Sequence, residues 1–154
     1  WVYPPRQGKS IMDWEACKNK RIAKSIKPDL DLIASLKKSS NHKLISMSHL
    51  PMQEETSTSK VSLMYDSIRE LLEALSLQQG FKIYNHECYT AFLRQELKES
   101  TKADDFDGFR KTRNSINYYG KELTCEEANN IIQEMKTFRT KLLLNLKKEE
   151  KKEA

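Results

Sequence analysis

Four glycines and four prolines are all that interrupt 154 residues. So few turn formers exclude a many-stranded, loop-rich architecture. No alternating Val/Ile/Thr run with a hairpin dipeptide occurs, so no sheet is expected. No apolar run approaches the ~20 residues of a membrane-spanning helix, and no signal-peptide pattern is present. No membrane partner is therefore expected. The three cysteines, Cys17, Cys88 and Cys125, have spacings that suit neither a zinc site nor a paired disulfide framework. They read as ordinary thiols of a reducing cytosol, with no metal and no cofactor, and the expected location is cytoplasmic. No serine sits in a strained glycine elbow, which leaves Ser/His/Asp catalysis unsupported. The Gly8-Lys9-Ser10 triplet is not a P-loop, because Tyr3 stands where the first glycine is required.

What the chain does hold is charge and helix formers. Charged residues make up 32% and hydrophobic residues 38%, a mixture suited to amphipathic helices around a modest core. The net charge of +5 is uneven: residues 1 to 50 carry ten Lys/Arg against four Asp/Glu. A basic third of this kind attracts nucleic acid when aromatics interleave it. They do not here, so a solvated helix face is the simpler reading.

Hydrophobic periodicity places the elements. Residues 1 to 11 read as a leader or an appended tail, with Pro4 and Pro5 opposing a helix. Residues 12 to 148 read as one domain. A short helix over 12 to 26 is expected, then a helix from Asp29 to about Leu50 with an irregular stripe. His42 and His49 lie on one face of it without accompanying ligands and read as surface histidines. Residues 51 to 59 are a loop by composition. Val61, Met64, Tyr65, Ile68, Leu71, Leu72 and Leu75 recur at three and four, predicting a helix over 60 to 78 stopped by Gly80. Tyr84, Cys88, Ala91, Phe92 and Leu97 predict the next helix, over 83 to 99, as its antiparallel neighbour. A helix over 105 to 118 ends at Gly120. Thr124 and Glu127 form a capping box for a last helix over 125 to 147. Residues 149 to 154, dominated by Lys and Glu, read as a disordered tail.

The stretch from Asp105 to Gly120, D-F-D-G-F-R-K-T-R-N-S-I-N-Y-Y-G, carries the chemistry. At 100° per residue, Phe106, Phe109, Ile116, Asn117 and Arg110 all fall within roughly 60° of Arg113. An arginine on the apolar arc of a helix needs carboxylates, carbonyls or a wet cleft, because its guanidinium keeps its proton. On periodicity alone, an ion pair with Glu70, Glu73 or Glu87 accounts for it.

The string R-K-T-R-N-S-I-N-Y-Y-G, followed by K-E-L-T-C-E-E-A, resembles the penultimate helix of HEPN domains, the "higher eukaryotes and prokaryotes nucleotide-binding" family. Residues 65 to 93, Y-D-S-I-R-E-L-L-E-A-L-S-L-Q-Q-G-F-K-I-Y-N-H-E-C-Y-T-A-F-L, are similar to the preceding helix pair of small prokaryotic members. The resemblance implies an all-α antiparallel helical bundle, often a homodimer, with a site built around an R-x4–6-H motif. In active members that site cleaves RNA. Some members pair with a minimal nucleotidyltransferase as toxin and antitoxin, and a tyrosine near the motif is then modified.

Carried onto this chain, the motif arginine is Arg113, with Asn114 beside it. The histidine positions hold Tyr118, Tyr119 and Gly120. Candidate nucleotide- or RNA-binding residues are Arg110, Arg113, Asn114 and Asn117. Candidate catalytic residues are Arg113, Tyr118 and His86, with Glu87 beside the last. Tyr118 and Tyr119 are the candidates for modification. Cleavage by a 2′-hydroxyl needs a base that titrates near neutrality and a cation on the phosphate. Arg113 suits the second role, and a phenol suits the first poorly. The expected function is therefore a nucleotide- or RNA-binding module, or a nucleotidyltransferase partner, with a degenerate R-x4-H motif. The alternatives are a ribonuclease toxin with a displaced histidine and a structural homodimer.

Overall fold

The computed structural model describes residues 12 to 153, with side chains to residue 150. The expected leader over residues 1 to 11 lies outside the described residues. Among those described, six α-helices account for most of the chain, so the fold is mostly α. They fall into two compact units. One comprises the described residues up to Lys24 together with Ile83–Lys121; the other comprises Ser25–Lys82 and the chain from Glu122 onward.

The second unit is a three-helix arrangement of α2 (Leu30–His49), α3 (Ser57–Gln78) and α6 (Cys125–Glu153). α3 packs against both α2 and α6, which explains why it buries polar residues as well as its apolar stripe. Most of those polar groups find partners, the exceptions being Glu70 Oε2 and Gln78 Oε1. The Ser40 and Ser67 hydroxyls pair at 2.9 Å, and Arg139 donates from Nε to Ser67 at 2.9 Å and from Nη2 to Ser40 at 3.2 Å. Burial lowers the Arg139 pKa from its ordinary value. Glu70 pairs with Lys43 and accepts from Ser39, while Glu73 meets Arg69 and Lys82. Thr124 and Glu127 make both bonds of the capping box: Glu127 N–H to Thr124 Oγ1 at 3.1 Å and Thr124 N–H to Glu127 Oε1 at 3.2 Å. α6 runs on to Glu153 through the charged stretch expected to be disordered. Lys and Glu are strong helix formers, and Glu150 is held by Lys37 at 2.8 Å.

The first unit contains α1 (Trp14–Asn19), α4 (His86–Ala91), a π-helical turn (Phe92–Glu96) and α5 (Ser100–Tyr119). Its core gathers Trp14, Cys17, Cys88, Tyr89, Phe92, Leu93, Phe106 and Phe109. Trp14 stacks at a tilt on Phe92, centroids 5.5 Å apart, and donates from Nε1 to Glu96 at 3.1 Å. α5 ends where Gly120 takes a left-handed conformation, φ 62°, and Lys121 N–H returns to the Ser115 carbonyl. That stop is the one expected from the sequence.

Two expectations are corrected. A small sheet exists: β1 (Ala23–Ser25) pairs with β2 (Phe81–Ile83) where the chain passes from one unit to the other. The pairing is antiparallel, with Tyr84 N–H donating to Ile22 and Ile26 N–H to Gly80, both at 2.8 Å. It joins segments distant in sequence, so no hairpin dipeptide announces it, and it cuts short both helices expected there. Of the helices on either side of Gly80, α3 falls in the second unit and α4 in the first. Finally, Cys17 and Cys88 are not free thiols. They form a disulfide with Cα atoms 6.0 Å apart, leaving Cys125 as the free cysteine. Neither half-cystine carries a motif; α1 and α4 simply pack with their cysteines facing. A paired disulfide does not fit the reducing setting expected for these residues. No helix among the described residues is long and apolar enough to cross a membrane.

Candidate functional site

A cleft of about 420 Å³ opens in the first unit. One wall comes from the end of β2 and the start of α4, with Tyr84, Asn85, His86 and Glu87. The other comes from α5, with Arg110, Arg113, Asn114 and Tyr118. The α5 residues share a face because their spacings of three, four and eight fit the helical repeat. The volume lies within the ~300–1,000 Å³ usual for small-ligand pockets.

Local sequence sets the first wall. Asn85 caps α4, its Oδ1 accepting from Cys88 N–H at 2.8 Å. The cap fixes where α4 begins and so places His86 and Glu87 at its first turn. His86 also lies against Tyr89, ring centroids 6.4 Å apart, and Tyr89 meets Phe106 edge-on at 6.3 Å. The imidazole thus rests on a buried aromatic pair that reaches α5. The Cys17–Cys88 bond anchors the same turn from the other side.

On α5 the two arginines differ. Arg110 is buried, and its Nε and Nη2 both donate to Asp107 Oδ1, at 3.1 and 2.8 Å. Lys111 reaches the other carboxylate oxygen at 3.0 Å. Burial pushes the Asp107 carboxyl up, but the hydrogen bonds from Arg110 and Lys111 and their positive charges outweigh it. The net effect holds Asp107 below its ordinary pKa. Arg113 is half-buried one turn further on. The Asn117 side-chain oxygen, in the orientation that satisfies both residues, accepts from Arg113 Nε at 2.9 Å and Nη2 at 3.3 Å. That contact holds the guanidinium along the helix, at the cleft.

Tyr118 is 72% exposed at the rim and Tyr84 is 60% exposed on the opposite wall. Lys24 Nζ lies over the Tyr84 ring, 5.3 Å from its centroid.

Of the residues singled out from the sequence, Arg110, Arg113, Asn114, Tyr118, His86 and Glu87 all line this one cleft. Asn117 touches it through Arg113, and Tyr119 is exposed without lining it. Glu70 and Glu73, considered as partners of Arg113, belong to ion pairs of the second unit. Sequence reasoning missed Tyr84, Asn85 and Asp107. Tyr84 reads as a core position of a helix, yet it follows a strand and is exposed. Asn85 was legible as a helix cap. The spacing of Asp107 to Arg110 and Lys111, three and four residues, was the signal for the buried pair.

No family model matches the chain, and neither do curated proteins or solved structures.

Proposed function

We propose that the chain is a HEPN-like binding module and that the cleft of its first unit takes the phosphate of a nucleotide or of an RNA segment. One observation carries this reading: two stretches far apart in sequence, Tyr84–Glu87 and Arg110–Tyr118, converge on a single cleft holding two guanidinium groups. Arg113 offers a planar fork of donors suited to phosphate oxygens. Arg110 is committed to Asp107 and supplies charge at the cleft floor from a fixed position. Asn114 adds a neutral amide beside them. The homodimer and the minimal nucleotidyltransferase partner are parts of the same proposal.

A second reading is favoured by one specific contact of elements: His86 and Arg113 line the same cleft. In that reading the imidazole takes the proton from a ribose 2′-hydroxyl as its oxygen attacks phosphorus. The bond from phosphorus to the 5′-oxygen breaks, that oxygen takes up a proton from water, and the products are a 2′,3′-cyclic phosphate and a 5′-hydroxyl. Arg113 holds the negative phosphoryl oxygens. The histidine would then act from α4, in place of the motif position that Tyr118 occupies.

The test is equilibrium binding of a fluorescently labelled single-stranded RNA oligonucleotide. Binding is expected to weaken with salt and to fall at least about tenfold in Arg113→Met, the loss of one charge-assisted contact. Wild-type protein that fails to bind RNA and nucleotide alike removes the proposal.

A further inference from the structure

The cleft carries two features that phosphate binding does not use. Large exposed aromatic side chains are uncommon on a charged surface, and here two of them stand at one site. Tyr84 comes from the end of β2 and Tyr118 from α5, 60% and 72% exposed, on the cleft that Arg110 and Arg113 also line. Tyr84 is also held in place. Its backbone N–H is fixed to Ile22 at 2.8 Å by the strand pairing, and Lys24 Nζ lies over its ring. A ring kept exposed by its backbone and steadied by a cation is a preorganised stacking surface rather than a core residue that failed to pack.

We infer that Tyr84, with Tyr118, reads an unpaired nucleobase attached to the phosphate that Arg113 holds, so that the cleft selects nucleotides over sugar phosphates. This rests on the phosphate-binding reading above and adds the part of the ligand that confers specificity. The chemistry fits the placement. Every base presents a flat π-face, and a tyrosine ring stacks on it with little dependence on sequence. A base in a duplex is stacked on its neighbours and cannot offer that face to a ring on a cleft wall, so the ligand is single-stranded or free. The hydroxyls of the tyrosines keep the rims wet when no ligand is bound, which accounts for their exposure at little cost.

The pair of probes is adenosine 5′-monophosphate and ribose 5-phosphate, which share a phosphate and a sugar and differ by the base. Titration calorimetry on the full chain is expected to show the nucleotide binding about five- to a hundredfold more tightly, the range of one base–aromatic stack. Tyr84→Ala is expected to erase most of that difference while leaving ribose 5-phosphate affinity unchanged, and Tyr84→Phe to keep it. Tyr118→Ala is expected to reduce the difference in the same way. Equal affinity of the wild type for the two probes overturns the inference and leaves phosphate binding standing. Binding of neither probe overturns the inference, and the phosphate-binding reading falls with it when the labelled RNA oligonucleotide also fails to bind. A preference for the nucleotide that survives Tyr84→Ala and Tyr118→Ala together also overturns it, because the base is then read elsewhere.

Discussion

Arg110 donates twice to a single carboxylate oxygen of Asp107, three residues before it on the same helix. Both groups are buried, and Lys111 completes the set on the other oxygen. Asp107 thereby fixes Arg110, while Arg113, a turn away on the same cleft, is held by Asn117.

Asp107→Asn is expected to lower stability by about 2–3 kcal/mol, since it leaves a buried guanidinium with a weaker partner. The pH dependence has a definite sign. The folded carboxyl titrates below its ordinary value, so its stabilising effect is complete above the unfolded pKa of roughly 3.9 and is lost as pH falls through the lower folded value. Denaturant midpoints of wild type and variant should differ at pH 7 and converge on strong acidification. Equal midpoints at pH 7 would show that the pair contributes nothing.

Arg113→Met is expected to separate binding from folding. The residue is half-buried at a cleft rather than sealed in a core, so the stability change should stay within about 1 kcal/mol. Oligonucleotide binding should fall at the same time. A variant that binds as the wild type does would take Arg113 out of the site. One that unfolds would make the arginine structural.

Purified wild-type protein is expected to cleave RNA weakly or not at all, because the motif position that calls for an imidazole holds the phenol of Tyr118. Tyr118→His restores the R-x4-H spacing and should raise cleavage, and Arg113→Ala should abolish the gain. Gel analysis of a labelled oligonucleotide reads all three. Robust wild-type cleavage that His86→Ala abolishes and Tyr118→Phe spares would establish the displaced histidine as the base.

The Cys17–Cys88 bond closes a span of 71 residues. Reducing it is expected to cost about 2–4 kcal/mol, the typical value for a buried disulfide. Because Cys88 follows directly on Asn85, His86 and Glu87, ligand affinity should drop as well. Thiol counting on denatured, unreduced protein should find one free thiol, that of Cys125. Three free thiols would mean that the pair does not form.

The sequence by itself determined whatever depends on neighbours within one or two helical turns. The stripe from Val61 to Leu75, the Thr124–Glu127 box and the stop at Gly120 all rest on local geometry, and all three are present. The common face of Arg110, Arg113, Asn114 and Tyr118 follows from the helical repeat for the same reason. Tertiary structure decided everything that joins distant segments. The β1–β2 pairing, the Cys17–Cys88 bond and the cleft that His86 shares with Arg113 leave no periodic trace, because each depends on which surfaces pack together. Arg113 shows both sides. Its helical face was readable from spacing, but whether that face met a core, a carboxylate or an open cleft depended on α4 lying across from it.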